Sequence, residues 1–119
     1  MDKNIETIKK YFELSDLASN DEKALDEIVD LFADDTSIKS GLSETAAGKK
    51  KTAEFFKTFF TRNKELKHLF KAEAFVDYYQ AEWAVAGLKT DGSLFSLHGF
   101  DYYKFNDKGK IISLVVNIS

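Results

Sequence analysis

The chain has 119 residues, no cysteine, 17 basic and 20 acidic side chains, and a formal net charge of −3. That length suits a single domain spanning 1–119, and the missing cysteines exclude disulfides and thiolate metal sites. A basic nucleic-acid-binding face is not expected either, since Arg62 is the only arginine and the one dense basic run, Lys49-Lys50-Lys51, has the composition of a solvated helix start.

Two histidines, His68 and His98, are too few for a multi-histidine metal centre, so neither metal nor cofactor is expected. No apolar stretch is long enough for a membrane span, and Met1-Asp2-Lys3-Asn4 lacks a leader's apolar segment. The cytoplasm is the expected compartment.

Helical spacing of Ile5, Ile8 and Phe12, with Tyr11 and Leu14 beside them, predicts a first helix from about Lys3 to Ala18. Ser19 and Glu22 have capping-box spacing, which predicts the start of a second helix. It carries Leu25, Ile28, Val29 and Phe32 on one face and ends at Asp34-Asp35. Thr36–Ser40 reads as a short strand and Gly41–Gly48 as a polar loop. A third helix follows from Lys49 to Arg62, with Phe55, Phe56, Phe59 and Phe60 as a broad aromatic face.

Beyond Asn63 the period changes to that of strands. Candidates are Leu66–Tyr78, Ala81–Lys89, Leu94–Phe105 and Ile111–Ile118, with turns at Thr90–Ser93 and Asn106–Gly109. Short turns between long strands imply antiparallel pairing. The expected fold is therefore α+β, with three N-terminal helices against a curved antiparallel sheet, enclosing an apolar pocket. Trp83, Val85, Phe100, Tyr102 and Val115 are assigned to the outer sheet face, and an apolar face of that kind suits a symmetric homodimer.

One residue breaks the pattern. In Leu94–Phe105 alternation puts Phe95, Leu97, Gly99, Asp101, Tyr103 and Phe105 on one face, the more apolar one. Asp101 sits in its middle. A carboxylate there must find hydrogen bonds or take up a proton. It either faces a ligand or is satisfied within the fold, by a bulge, a buried cation or backbone groups. Tyr11, on the flank of the first helix's stripe, is the second candidate, because a buried hydroxyl also needs a partner.

These residues resemble a known family. Tyr11-Phe12, the Ser19–Asp21 turn, Ile28–Asp35, Gly48, Asp101–Asn106 and Gly109–Ser113 are similar to the nuclear-transport-factor-2-like superfamily, in its SnoaL-like or ketosteroid isomerase-like branch, over nearly the whole chain. The resemblance implies a cone-shaped α+β barrel with a deep pocket, commonly dimeric. In ketosteroid isomerases a Tyr of the first helix and a protonated Asp of a late strand form an oxyanion hole. By that resemblance the pair falls on Tyr11 and Asp101.

The isomerase's general base falls on Ser40, which cannot serve as one unaided, and a supporting Tyr falls on Phe56. A shift in the loop would bring Glu44 into play. Scytalone dehydratase-like chemistry needs His with Asp in the pocket. Alternation puts His98 on the face opposite Asp101, and His68 is expected at the rim in a structural role. Limonene epoxide hydrolase-like chemistry needs an Asp–Arg–Asp set, and Arg62 stands alone.

The favoured expectation is a pocket for a small, largely apolar molecule bearing a carbonyl or hydroxyl, with Tyr11 and Asp101 as its polar end. Its walls are assigned to Phe12, Phe32, Phe56 and Phe60 from the helices and first strand region. Ala84, Ala86, Leu88, Leu97, Tyr103, Leu114 and Val116 are assigned to it from the sheet. The rivals are an isomerase or cyclase using the same oxyanion pair, and an interaction module working through its outer sheet face.

Overall fold

The computed structural model describes residues 2–41 and 45–119, and within them three helices pack on one side of a curved six-stranded sheet. Helix α1 is Lys3–Ser15. Asp2 caps it by accepting hydrogen bonds from the Asn4 and Ile5 amides. Ile8, Tyr11, Phe12 and Ser15 form its buried face at helical spacing. The helix ends three residues earlier than its periodicity predicts; Asp16 caps it with helical backbone angles, and its carboxyl accepts hydrogen bonds from the amide of His68.

Helix α2 is Glu22–Asp30, and its cap is Asp21 rather than Ser19, with Asp21 Oδ1 accepting from the Lys23 and Ala24 amides. It ends at Asp30. Phe32 to Asp35, assigned from sequence to the helix end, belong to strand β1, Phe32–Ser40. Pairing decides this: Phe32 is opposite Ile111, the Ile111 amide donates to Leu31 O, and Phe32 is fully buried. Tertiary burial outweighs the helix propensity of that segment.

Strand β2, Thr45–Ala47, occupies part of the expected loop, and helix α3, Lys49–Thr61, follows. The remaining strands are β3 (Asn63–Ala74), β4 (Tyr79–Lys89), β5 (Leu94–Phe105) and β6 (Ile111–Ile118). Strand β3 therefore begins and ends earlier than Leu66–Tyr78. The order across the sheet is β2-β1-β6-β5-β4-β3. Every neighbouring pair is antiparallel except β1 and β6, which run parallel, so the sheet is mixed. Both turns expected after β4 and β5 form; Gly92 at the first has φ +90°, a conformation that side chains disfavour.

The core lies between the helices and the inner sheet face. Tyr11 meets Phe12, Phe32, Phe56 and Tyr103 edge-on, and Phe12 stacks on Phe70 with ring centroids 4.6 Å apart. Each fully buried aromatic or aliphatic side chain contributes roughly 1.5–3 kcal/mol. No helix among the described residues is long and apolar enough to cross a membrane.

One close approach fixes the middle of the sheet. Gly99 of β5 is opposite Trp83 of β4, and the indole lies across its bare Cα. A Cβ at residue 99 would sit 2.4 Å from Asn117 O and 2.6 Å from the indole ring. Backbone on one side and a buried ring on the other leave no way to relax. Gly99→Ala should lower the urea unfolding free energy by about 1–3 kcal/mol, the usual cost of overpacking. Unchanged stability would show that the sheet can open there.

Candidate functional site

The inner face of β4 is made by Tyr79, Ala81, Trp83, Val85 and Gly87, because Trp83 is in register with Gly99, and Ala81 with Asp101. This reverses the sequence assignment of that strand. Trp83 and Val85 are buried and face the helices, whereas Ala84 and Ala86 are exposed and Leu88 is half-exposed on the other side. Gln80 and Glu82 share the outer set, and their polarity is the signal that indicates its direction. The β5 alternation places Asp101 inward, 3 % exposed.

Asp101 is held from two sides. Trp83 Nε1–H donates to Oδ1 at 2.8 Å, and the Tyr103 hydroxyl donates to Oδ2 at 2.7 Å. Tyr103 has no exposed surface, so its bond to Asp101 is shielded from solvent. Burial pushes the Asp101 carboxyl up from 3.8 to about 7, with the Tyr103 and Trp83 hydrogen bonds pulling the other way. Burial first, then the nearby Asp101 charge, pushes the Tyr11 and Tyr103 phenols well above 10.0. Tyr11 does not bond the carboxyl directly, since the two bonds that Asp101 receives come from Trp83 and Tyr103.

Above this cluster lies a partly enclosed cavity of about 130 Å³. Tyr11 and Phe12 of α1, Phe55 and Phe59 of α3, and Ser40 at the end of β1 form its helix side. His68, Trp83, Val85, Phe95, Leu97, Asp101, Val116 and Ile118 form its sheet side. Larger concavities along β3 to β5 are open to solvent and enclose nothing.

Several expected wall residues lie elsewhere. Phe32, Phe56, Phe60, Tyr103 and Leu114 are buried in the core without bordering the cavity, and Ala84, Ala86 and Leu88 are on the wrong face. On α3 the aromatic face is split: Phe56 and Phe60 point into the core, Phe55 and Phe59 into the cavity. Glu44 lies outside the described residues.

His68 is where the site departs most from expectation. It is on the inner face of β3 and borders the cavity instead of standing at a rim. Its Nδ1 is 2.7 Å from Asp16 Oδ1, and the same carboxyl accepts from the His68 amide at 3.0 Å. The ring packs on Phe12 at 5.4 Å between centroids and meets Trp83 at 6.5 Å. Nδ1–H donated to Asp16 leaves Nε2 with the lone pair in the neutral form of the ring. The signal was present in β3, where Leu66, His68, Phe70 and Ala72 alternate with Lys67, Leu69, Lys71 and Glu73. Asp16 carried no such signal, since it follows a helix that appeared to continue through it.

His98 lies on the outer face, bonded to Glu82 Oε2 at 2.7 Å and to Ser119 Oγ at 2.5 Å, away from the cavity. Arg62 closes the end of α3 and does not border the cavity. Among the described residues no group of three His, Asp or Glu is placed to hold a metal ion.

No protein-family model matches the chain, and no curated protein does. Solved structures do. An NTF2-like protein of unknown function from Exiguobacterium sp. 255-15 is 31% identical, with a TM-score of 0.86 over 95% of this chain and 98% of that one. The chain belongs to the NTF2-like family.

Two more distant structures share the fold of this NTF2-like protein. One, classed as a polyketide cyclase, is from Xanthomonas campestris pv. campestris, at 15% identity and TM-score 0.80, covering 96% of this chain and 88% of that one. The other is SalBIII, an epoxide hydrolase/cyclase-like enzyme of pyran-ring formation in salinomycin, at 18% identity and TM-score 0.81, covering 98% and 91%.

The NTF2-like cone thus brings Tyr11, Ser40, His68 and Asp101 to one cavity. Because the folded Asp101 pKa is raised, the folded state keeps a proton that the unfolded chain releases. Its favourable contribution is complete below pH 3.8 and is lost as pH rises to about 7. Asp101→Asn keeps partners for Trp83 and Tyr103 without the titration. Relative to this variant, the natural protein should lose up to about 4 kcal/mol of urea stability between pH 4 and pH 7. A difference constant across that range would show that Asp101 does not titrate there.

Proposed function

We propose that this protein is a proton-transfer enzyme of the isomerase, dehydratase or cyclase kind, acting on a small, largely apolar molecule with a carbonyl or hydroxyl. The observation that carries this is the His68–Asp16 pair at 2.7 Å beside the cavity. Sequence comparison with ketosteroid isomerases leaves the base position to Ser40, and Ser40 does border the cavity. His68 supplies what Ser40 lacks: a neutral nitrogen base whose tautomer is set by a carboxylate.

The polar end of the ligand meets Tyr11, with Asp101 behind it. In a site shielded from water the Tyr11 hydroxyl can donate to an oxygen that gains charge as a carbon proton departs, and such a fixed donor counts for more there than in water. His68 Nε2 takes the proton from the carbon next to the carbonyl, Tyr11 stabilises the enolate oxygen, and the imidazolium returns the proton at the γ-carbon. Charge and atoms balance within the ligand and His68. The NTF2-like relatives with cyclase and hydrolase/cyclase names support pocket chemistry in general and no particular substrate.

We also propose a homodimer. With Trp83 and Val85 turned inward, the outer face keeps Phe100, Tyr102 and Val115, all half-buried. A second copy, related by a two-fold axis, is the economical cover for such a self-complementary face. Tyr102→Glu should convert a dimer into a monomer in sedimentation equilibrium. A monomer in the unaltered protein would contradict the proposal.

Catalysis is tested with 3-cyclohexen-1-one, whose conversion to the conjugated 2-cyclohexen-1-one is followed by ultraviolet absorbance. His68→Gln should lower the rate by about 100-fold or more, and Asp16→Asn by roughly 10-fold. A rate unchanged in His68→Gln would remove His68 from the chemistry.

A further inference from the structure

The cavity has its own dimensions and charge, and these restrict what fits it. Its volume is about 130 Å³. An apolar protein cavity of about 150 Å³ takes up benzene, so this one holds a single six-membered ring and not a fused pair. Its walls are chiefly flat: Phe12, Phe55, Phe59, Trp83 and Phe95 all border it. Aromatic faces of this kind favour a planar guest, stacked or edge-on.

The charge is equally restrictive. Among the described residues no Lys or Arg lines the cavity, so a carboxylate or phosphate would be desolvated with no fixed cation to meet it. A cation would find aromatic faces but a carboxyl already occupied. The two oxygens of Asp101 are already engaged by Trp83 and Tyr103, and His68 would repel a cation whenever it carried a proton. Among the described lining residues Leu97 and Ile118 are the most exposed, each at 41 %.

We infer that the ligand is a neutral, planar molecule with one six-membered ring inside the cavity, its carbonyl or hydroxyl toward Tyr11, and any longer part leaving past Leu97 and Ile118. This rests on the cavity being the working site, and narrows its substrate class. A second fused ring is expected to meet Phe55 and Phe59, which border the cavity from α3.

Binding can be measured without turnover. Trp83 is the only tryptophan and borders the cavity, so fluorescence excited at the red edge, where the five tyrosines do not absorb, reports on it alone. The chain has no cysteine to trap an enone. The full chain is titrated with 2-cyclohexen-1-one, with a fused two-ring enone having the same polar end, and with benzoate. The one-ring enone should quench saturably at a concentration at least about tenfold lower than the two-ring enone, and benzoate should not saturate. Phe59→Ala should admit the second ring and bring the two enones to within about threefold of each other.

Equal affinity for one and two rings in the unaltered protein would overturn the inference. So would tighter binding of benzoate, or no saturable quenching by 2-cyclohexen-1-one. The His68→Gln variant separates this from the catalytic proposal. Ring-size preference persisting there while isomerisation is unaffected sinks only the catalytic role of His68. Isomerisation lost while both ring sizes bind alike sinks only the inference on size.

Discussion

A carboxyl group with 3 % of its surface exposed cannot be left to itself. Its desolvation must be offset by hydrogen bonds, by a proton, or by both. Asp101 has both means. Trp83 and Tyr103 supply one donor to each oxygen, and burial raises the carboxyl's affinity for a proton until it titrates near neutrality. This arrangement requires that β4 and β5 keep one register, with Ala81 opposite Asp101 and Trp83 opposite Gly99. A slip of one residue would turn Trp83 outward and leave the carboxyl with a single partner. Gly99 contributes by having no side chain, since its bare Cα is where the indole lies.

The cavity follows from that register. With Trp83 turned inward, its ring becomes part of the wall and its N–H fixes the acid beneath. Tyr11 descends from α1 onto the same cluster, 6.0 Å from Tyr103 between ring centroids. Across the space, His68 is anchored to Asp16, where α1 ends. One short helix thus supplies a phenol from its last full turn and, just past its end, the carboxylate that orients the imidazole. The direction of the Asp16 side chain, toward β3, is therefore what the histidine's orientation depends on.

Much of this was legible in the chain. The three helices, the strands β5 and β6, both turns and the inward direction of Asp101 follow from periodicity and turn chemistry, whereas β2 lies in a segment that reads as a loop. The β1 boundary was not legible, because Phe32–Asp35 has no strand-like pattern and is tied to the sheet only through Phe32, opposite Ile111 of the distant β6, ahead of a register shift before Ser37. The direction of β4 was misjudged because small residues, Ala84 and Ala86, look like room for a ligand. In the folded chain they are simply the exposed side of a strand whose polar members, Gln80 and Glu82, share their face. His68 was placed at the rim from its position near a strand start, although the β3 alternation already put it with Leu66 and Phe70. Its partner Asp16 could not be found from spacing, since the contact spans 52 residues.

The most direct measurement of the central claim uses the only indole in the chain. Its N–H gives one nitrogen–proton resonance, which should lie downfield, exchange slowly with water, and shift on titration with a midpoint near pH 7 as Asp101 ionises. In Asp101→Asn the resonance should remain protected but stop responding to pH. A midpoint near pH 4, or an indole proton that exchanges as freely as one in open solvent, would contradict a buried carboxyl held between Trp83 and Tyr103.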